Sequence, residues 1–254
     1  MGNVHSERIA ALRSVMSENG WDAVVITGSD PHSSEYQAPR WKQVEWLTGF
    51  TGEAGDVVVT MDHAGLWTDS RYFIQALAQL DGTGVELHKT RQPDTVRIPQ
   101  WLAGRAKTVA VDGLCQSVSG VQEIEECLGE GGLVVDVPDL LQELWEGRPQ
   151  IPVTPITTLD VEAFGGIPRI DKISWLRKWM LLNGYDKVLL SSLDEIAWML
   201  NVRGSDIDYN PLVISYLLVS QDYVKWFVKK GASDAELDPD TLDSFSELKM
   251  DGVD

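Results

Sequence analysis

The stretch RIAALRSVMSENGWDAVVITGSD (residues 8–30) occurs a second time in the chain as KISWLRKWMLLNGYDKVLLSSLD (residues 172–194). The two copies align without a gap and share nine identical positions. In each copy an amphipathic helical pattern ends in Asn-Gly, and glycine readily takes the left-handed conformation that ends a helix. A short aliphatic strand follows. The sequence therefore predicts two related helix–strand units.

A second pair of matching segments extends the repeat. WLTGFTG (residues 46–52) corresponds to WMLNVRG (residues 198–204). Between the two matches, the first copy carries twelve extra residues, PHSSEYQAPRWK (residues 31–42). We interpret this pattern as two related α/β domains, the first of which has an added polar loop.

The domain boundaries follow from the repeat and from composition. We predict one domain over residues 1–148 and a second over residues 171–254. Residues 149–170 are rich in proline and glycine and predict a linker or an ordered strap. The second copy is shorter than the first, so we expect the second domain to be incomplete, or the chain to be the front part of a longer protein.

The remaining pattern alternates between strands and helices. The segments DVVVTMD and GLWTD predict a strand pair around Asp62-His63, and GVELHK, TVAVD and LVVD predict further strands. Helices are predicted over residues 71–80, 98–104, 119–128 and 139–146. The last segment, PDTLDSFSELKM (residues 239–250), also has a helix-like pattern.

Composition excludes several classes of function. The formal net charge of the 254-residue chain is −18, which argues against binding to nucleic acids and to anionic membranes. No apolar run approaches the roughly 20 residues that span a bilayer. The first residues lack the apolar core of a secretory signal, and the two cysteines form neither a disulfide framework nor a zinc motif. We therefore expect a cytoplasmic protein.

The segment LWTDSRYFIQAL (residues 66–77) passes from a predicted strand to a predicted helix. Asp69 or Ser70 is expected to cap that helix. Arg71 is expected in its first turn, where the helix dipole disfavours a cation by roughly 0.3–1 kcal/mol. Two explanations remain at this point: Arg71 belongs to a functional site, or it is an exposed arginine that pairs with an acid such as Asp69.

Five segments together resemble the N-terminal region of the Xaa-Pro aminopeptidase (aminopeptidase P) family. They are SDPHSSEYQAP, WLTGFTGEAGDVVVT, GLWTDSRYFIQA, LWEGRPQIP and LDEIAWMLNVRGSDIDYNPLVISYLLV, in the order in which the family has them. The resemblance implies two tandem creatinase-type α/β domains, each with a ribonuclease H-like mixed sheet flanked by helices. In the complete enzyme a C-terminal catalytic domain of the pita-bread fold would follow.

The resemblance also implies an activity and its cofactor. The family hydrolyses the first peptide bond of peptides that have proline at position two, with two metal ions, usually Mn²⁺, held by two Asp, one His and two Glu. No histidine follows His88, so residues 171–254 cannot supply that set. We therefore expect no metal or cofactor in this chain, no catalysis by it alone, and two Mn²⁺ in the missing catalytic domain. The expected partners are the peptide substrate, that catalytic domain and a second copy in a homodimer.

The arginine of the family's W-T-D-x-R-Y-F block binds substrate, and it corresponds to Arg71. A guanidinium suits this role because it offers a rigid fork of donors to carbonyl or carboxylate oxygens. Asp69, with His32 and Tyr36 of the inserted loop, is predicted to line the same site. For the loop, an ordered surface segment is an equally good interpretation.

Two other functions remain open from the sequence. Asp69, Asp112 and Asp136 each follow or end a predicted strand and would suit a Mg²⁺-dependent nuclease, although helix caps and turns explain them more simply. A non-catalytic interaction module of the same fold is the second alternative. Elsewhere, Arg203 with Asp206 and Asp208 suggests an interdomain ion pair, or a purely structural role.

Overall fold

The computed structural model describes residues 3–164 and 166–232, together with the backbone of residues 238–242 and 245–248. The chain divides into two compact units. One comprises Met1–Pro31 and Pro39–Pro149, and the other comprises His32–Ala38 and Gln150–Asp254. Among the described residues, none of the helices combines the length and the apolar character that crossing a lipid bilayer would require.

The first unit is an alternation of helices and strands, with a short 3₁₀ helix at Pro39–Trp41. In chain order its elements are α1 (Val4–Asn19), β1 (Ala23–Ile26), α2 (Gln43–Thr48), β2 (Gly55–Thr60), β3 (Ala64–Thr68), α3 (Phe73–Gln79), β4 (Glu86–Lys89), α4 (Ile98–Leu102), β5 (Thr108–Val111), α5 (Val118–Leu128) and β6 (Leu133–Asp136).

Its strands form one six-stranded mixed sheet in the order β4-β3-β2-β1-β5-β6. β2 runs antiparallel to both β1 and β3, whereas the pairs β3–β4, β1–β5 and β5–β6 are parallel. All four residues of β1 are buried, because α1 and α2 pack on one face of the sheet and α4 and α5 on the other. For this unit, the predicted mixed sheet flanked by helices is confirmed.

The second unit has a smaller sheet. Its elements are β7 (Thr157–Thr158), α6 (Val161–Phe164), α7 (Arg169–Asn183), β8 (Lys187–Leu190), α8 (Leu193–Leu200), β9 (Val202–Arg203), β10 (Ser215–Ser220), β11 (Val224–Lys229), β12 (Asp238–Leu242) and β13 (Phe245–Leu248). Five strands pair in the order β12-β13-β11-β10-β8, and β7 pairs with β9. Every pairing described here is antiparallel.

The internal repeat predicted from the sequence is present in the structure. α1 and α7 both end at a glycine in the left-handed region, Gly20 with φ 70° and Gly184 with φ 73°. Each helix leads into a strand, β1 or β8, and the antiparallel set β8-β10-β11 repeats the set β1-β2-β3. In the described part of the second unit nothing repeats the parallel strands β4, β5 and β6. β8 is therefore only half buried, and Leu189 is 57% exposed.

Two of the helix predictions were wrong. Residues 139–146 form successive turns instead of a helix, because Asp139 takes a left-handed conformation with φ 58° and the chain closes short loops such as Gln142 N–H to Asp139 O (2.7 Å). The helix-like pattern at residues 239–250 covers strands over much of its length. There, β13 pairs with β11, whose outer edge would otherwise have unpaired backbone groups.

The other three predicted helices are confirmed with small shifts. The helix expected at residues 71–80 is α3, which begins later, and those expected at 98–104 and 119–128 are α4 and α5. The strand pair predicted around Asp62-His63 is the antiparallel pair β2–β3.

Candidate functional site

Arg71 lies in the short connection between β3 and α3. The connection is closed by Asp69, whose Oδ1 accepts the backbone N–H of Arg71 at 3.0 Å. The N-cap residue of α3 is Tyr72, which makes no side-chain cap hydrogen bond. The expectation that Asp69 or Ser70 caps the helix was therefore wrong. Arg71 precedes the helix instead of lying in its first turn, because the Asp69 turn occupies that position.

The guanidinium of Arg71 is paired with Asp69 at two points. Nη2 lies 2.7 Å from Oδ2, and Nε lies 3.0 Å from Oδ1. The side-chain hydrogen bond from Arg71 lowers the pKa of Asp69, so the carboxylate is ionised at neutral pH. The Arg71 side chain is 66% exposed, and its guanidinium carbon lies 5.1 Å from the centre of the Tyr72 ring. Arg71 binds Asp69 through the Nε and Nη2 edge of its guanidinium, and Nη1 takes no part in this pair.

His32 and Tyr36 belong to the inserted loop, and the part of that loop from His32 to Ala38 groups with the second unit. His32 is buried, and its Nδ1 lies 2.9 Å from the carbonyl oxygen of Ser191. Its ring centre lies 4.7 Å from that of Tyr216. His32 is thus packed within the second unit, whereas Tyr36 is exposed. Of the four predicted site residues, the contacts described join only Asp69 and Arg71 to each other.

The three carboxylates of the nuclease alternative are not gathered into one site. Asp112 follows β5 and Asp136 ends the neighbouring strand β6, but Asp69 follows β3, and β1 and β2 lie between. Asp112 accepts the backbone N–H groups of Leu114 (3.0 Å) and Asp139 (3.1 Å). Asp136 accepts that of Gly113 at 2.8 Å. Burial raises the pKa of Asp112. Turn formation accounts for both residues, so the structure gives the nuclease alternative no support.

The residues of the RGSDID segment are structural. The Nη1 group of Arg203 donates to the carbonyl of Val202 at 2.7 Å. Asp206 accepts the hydroxyl of Thr154 at 2.6 Å and the backbone N–H of Ile214 at 2.8 Å. Neither residue pairs with an opposite charge among the salt bridges of the described chain, so the suggested ion pair is replaced by hydrogen bonds within the second unit.

One group of side chains was missed at the sequence level. In the described part of the chain, His63, Glu86 and His88 form the one group of three or more His, Cys, Asp or Glu side chains that could hold a metal ion, with one donor atom from each within 4.8 Å of the others. Burial lowers the pKa of both histidines. The sequence shows that Glu86 and His88 are two residues apart in a predicted strand. It does not show that this strand, β4, pairs with β3, the strand that follows His63.

Family models give the chain its place among known proteins. A model of the creatinase/prolidase N-terminal domain matches residues 8–144, and a second model with the same description matches residues 147–250. The chain belongs to the creatinase/prolidase N-terminal domain family. The predicted tandem arrangement of two creatinase-type domains is thereby confirmed.

Relatives of this creatinase/prolidase N-terminal chain carry aminopeptidase names. It is 37% identical over 229 residues to Xaa-Pro aminopeptidase app-1 of Caenorhabditis elegans, a match that covers 88% of this chain and 36% of the relative. It is 32% identical over 243 residues to Aminopeptidase P2 of Arabidopsis thaliana, with 92% and 34% covered. The chain thus spans little more than a third of the length of these relatives.

A solved structure agrees over nearly the whole chain. The crystal structure of X-prolyl aminopeptidase from Caenorhabditis elegans, described as a cytosolic enzyme with a di-nuclear active site, matches with a TM-score of 0.85 and 33% identity. The match covers 91% of this chain and 40% of that one. The fold seen here is therefore that of the corresponding part of the larger enzyme.

The metal set that the resemblance implies does not fit the residues present. It needs two Asp, one His and two Glu around two ions. The His63 group contains two imidazoles and one carboxylate, and residues 171–254 contain no histidine. No step of a metal-dependent hydrolysis is therefore assigned to side chains of this chain.

Proposed function

We propose that this chain is the N-terminal region of a metal-dependent Xaa-Pro aminopeptidase, which removes the first residue from peptides with proline at position two. The observation that carries the proposal is the similarity to the Caenorhabditis elegans enzyme, at a TM-score of 0.85 over 91% of the chain. Hydrolysis takes place in a C-terminal catalytic domain that holds two Mn²⁺ ions. The present region shapes the substrate cleft, supports dimerisation and works in the cytoplasm.

Arg71 is the residue through which this region contacts substrate. Its position after β3 is fixed by the Asp69 turn, while most of its side chain is exposed to solvent. Asp69 orients the guanidinium through Nε and Nη2, and Nη1 is directed at a peptide carbonyl or carboxylate oxygen. An arginine that is oriented before substrate arrives loses less rotamer entropy on binding than a mobile one.

The catalytic domain is needed for turnover. We expect the purified 254-residue chain, supplied with Mn²⁺, to release no product from an Xaa-Pro peptide. The complete protein that contains it is expected to be active under the same conditions. Metal-dependent turnover by the isolated chain would contradict the proposal.

The substrate role of Arg71 is tested by Arg71→Ala in the complete protein. Loss of one charged hydrogen bond to substrate is expected to lower kcat/KM by about 10- to 100-fold. Arg97→Ala is the matched control, because Arg97 also pairs with a nearby acid, Glu123 at 2.5 Å, and its side chain is 67% exposed against 66% for Arg71. Unchanged kinetics for Arg71→Ala, with folding intact, would remove the substrate role.

A role in assembly is the second candidate, and one surface favours it. Trp175, Trp179 and Leu182 lie at i, i+4 and i+7 on α7, and all three are exposed. An exposed aromatic stripe of this kind is typical of a surface that another protein surface covers. If the region serves assembly alone, Trp175→Ser with Trp179→Ser will dissociate the complete protein in sedimentation experiments, and Arg71→Ala will leave kinetics unchanged.

A further inference from the structure

The side chains of two neighbouring strands converge at one edge of the first sheet. Glu86 and His88 are two residues apart on β4 and therefore point to the same face. β3 runs parallel to β4, with Gly65 opposite Glu86 and Trp67 opposite His88. His63, just before β3, has the same parity as Gly65 and Trp67. The pairing of β3 with β4 thus places His63, Glu86 and His88 on one surface.

The distances within this group suit a metal ion. The Nε2 atoms of His63 and His88 are 3.2 Å apart, and a carboxylate oxygen of Glu86 lies 3.7 Å from Nδ1 of His63. Two imidazole nitrogens at 2.0–2.1 Å from a tetrahedral Zn²⁺ are about 3.3 Å from each other. The two rings therefore stand at the separation that one shared ion requires, with no movement of the backbone.

Gly65 makes this convergence possible. A Cβ at this position would lie 2.6 Å from Nε2 of His63 and 2.7 Å from Nε2 of His88, closer than atoms approach without displacement. The backbone of Gly65 does not take a left-handed conformation, so its φ does not require glycine. Because Gly65 has no side chain, the Nε2 atoms of His63 and His88 can approach each other above its Cα.

The surrounding tryptophans hold the imidazoles in place. The Trp67 ring stacks on His88 with ring centres 3.8 Å apart and 3° between the planes, and Trp101 lies 4.8 Å from His63. Trp67 is itself fixed by a 2.9 Å hydrogen bond from Nε1 to the carbonyl of Val96. Both histidines are half buried, whereas Glu86 is exposed, so the group is rigid on its inner side and open to solvent on its outer side.

We propose that His63, Glu86 and His88 bind a divalent transition-metal ion, Zn²⁺, on the first domain. The Nε2 atoms of the two histidines supply two ligands, and the exposed Glu86 side chain turns from the Nδ1 side of His63 to supply a carboxylate oxygen as the third. A water molecule completes a tetrahedron. Two imidazoles favour Zn²⁺ over Mg²⁺, Ca²⁺ and Mn²⁺, which prefer oxygen ligands.

Zn²⁺ titration of the 254-residue chain tests the site. After treatment with a chelator, the chain is titrated with ZnCl₂ by calorimetry in excess Mg²⁺, which occupies sites made of carboxylates alone. We expect one ion per chain. In NMR spectra of the wild-type chain, the ring protons of His63 and His88 should shift on Zn²⁺ addition, while those of His5 and His32 should not.

Variants assign the ligands. His63→Gln and His88→Gln are each expected to weaken binding by at least about 100-fold, and Glu86→Gln by about 10-fold. Gly65→Ala should weaken it as strongly as loss of a histidine, because the new Cβ forces the rings apart. His5→Gln and Glu126→Gln are the controls and should bind as the wild type does. If one of the ligand variants fails to fold, the NMR experiment on the unaltered chain still decides.

Two results would overturn the proposal. The first is an absence of stoichiometric Zn²⁺ binding, in which case the two imidazoles only share a hydrogen bond between their Nε2 atoms. The second is binding that survives in the His63→Gln/His88→Gln double variant or that leaves the ring protons of both histidines unmoved.

Discussion

Arg8 and Lys172 make the same contacts at equivalent positions of the two domains. Arg8 donates from Nη1 to the carbonyl of Trp46, and its guanidinium carbon lies 4.6 Å from the centre of the Trp46 ring. Lys172 donates to the carbonyl of Trp198 and lies 4.4 Å from that ring. In each domain, therefore, a cation from the first helix of the repeat (α1 or α7) binds a tryptophan near the C-terminal end of the second helix (α2 or α8). The two copies of the repeat thus share a side-chain contact as well as a sequence pattern.

The Lys172 contact is expected to stabilise the second domain. Lys172 is buried, and it also donates to Oδ1 of Asn201 at 2.5 Å. Lys172→Met should lower the free energy of unfolding by about 1–3 kcal/mol, because the buried Asn201 oxygen and the part-buried Trp198 carbonyl both lose their donor. Hydrogen exchange of peptides from β10 and β11 would measure the loss in this domain alone. Lys178→Met, at an exposed position on the same helix, should change exchange little; an equal effect of the two substitutions would contradict the prediction.

The first domain depends in a similar way on Asp139. Its carboxylate pairs with Arg40 at 2.5 Å and with Arg148, whose side chain is only 1% exposed. Asp139→Asn keeps a residue type that tolerates the left-handed backbone but removes the charge that offsets two guanidinium groups. We expect a loss of about 3 kcal/mol in calorimetric unfolding, because a buried arginine is left without its partner. Glu143→Gln, at an exposed position in the same segment, should have no measurable effect, and similar melting of the two variants would refute the assignment.

Asp206 should give the second domain a pH dependence. Burial raises the pKa of Asp206 above the ordinary value of about 3.9, so the folded state holds the proton more tightly than the unfolded state. The contribution of this group to stability is therefore greatest below that ordinary value and falls as pH rises through the raised pKa.

Asp206→Asn removes this titration and retains the hydrogen bonds, since its amide oxygen accepts from Ile214 and its NH₂ group donates to Thr154. Relative to Asp206→Asn, the wild type should become less stable as pH increases across that window. Urea unfolding at a series of pH values measures the difference, with the exposed Asp208→Asn as control. A constant difference across pH would show that Asp206 does not titrate in this way.

The proposed substrate role of Arg71 predicts coupling to Asp69. In the complete protein, Asp69→Ala should lower kcat/KM through loss of orientation, but by less than Arg71→Ala does. The double variant should be no worse than Arg71→Ala alone, because Asp69 acts through the arginine. Additive losses in this double-mutant cycle would mean that Asp69 contributes to binding by a separate route.

The sequence predicted those parts of the fold that local chemistry decides. Short segments were enough to predict the Asn-Gly ends of α1 and α7, the strands that follow them and the tryptophans of α2 and α8. Each of these features occurs in both copies of the repeat, so each prediction had two independent instances. The final strands were misread because pairing with β11 decides their conformation, and that pairing lies outside any local window. Residues 139–146 were misread because the left-handed backbone of Asp139 is stabilised by distant arginines.

For the candidate sites too, the sequence predicted residues within one segment but not residues that strand pairing brings together. Arg71 was predicted as a site residue because it matches the arginine of the W-T-D-x-R-Y-F block. Its pairing with Asp69 was one of the two interpretations considered. His63 and His88 are 25 positions apart, and only the register of β3 on β4 brings their rings together. No spacing rule along one strand could have revealed a group that two strands share.

The contrast between the two sheets has a consequence for the order in which the chain can fold during its synthesis. In the second domain, β10 and β11 are joined by a tight hairpin, with Val219 paired to Val224, so that part can form as soon as it emerges from the ribosome. In the first domain, β1 has one edge exposed until β5 is made, because Ala23 pairs with Val109. Closing so long a loop is slow. The backbone groups on this edge of β1 therefore stay unpaired while the intervening residues are added, and an unpaired strand edge favours aggregation.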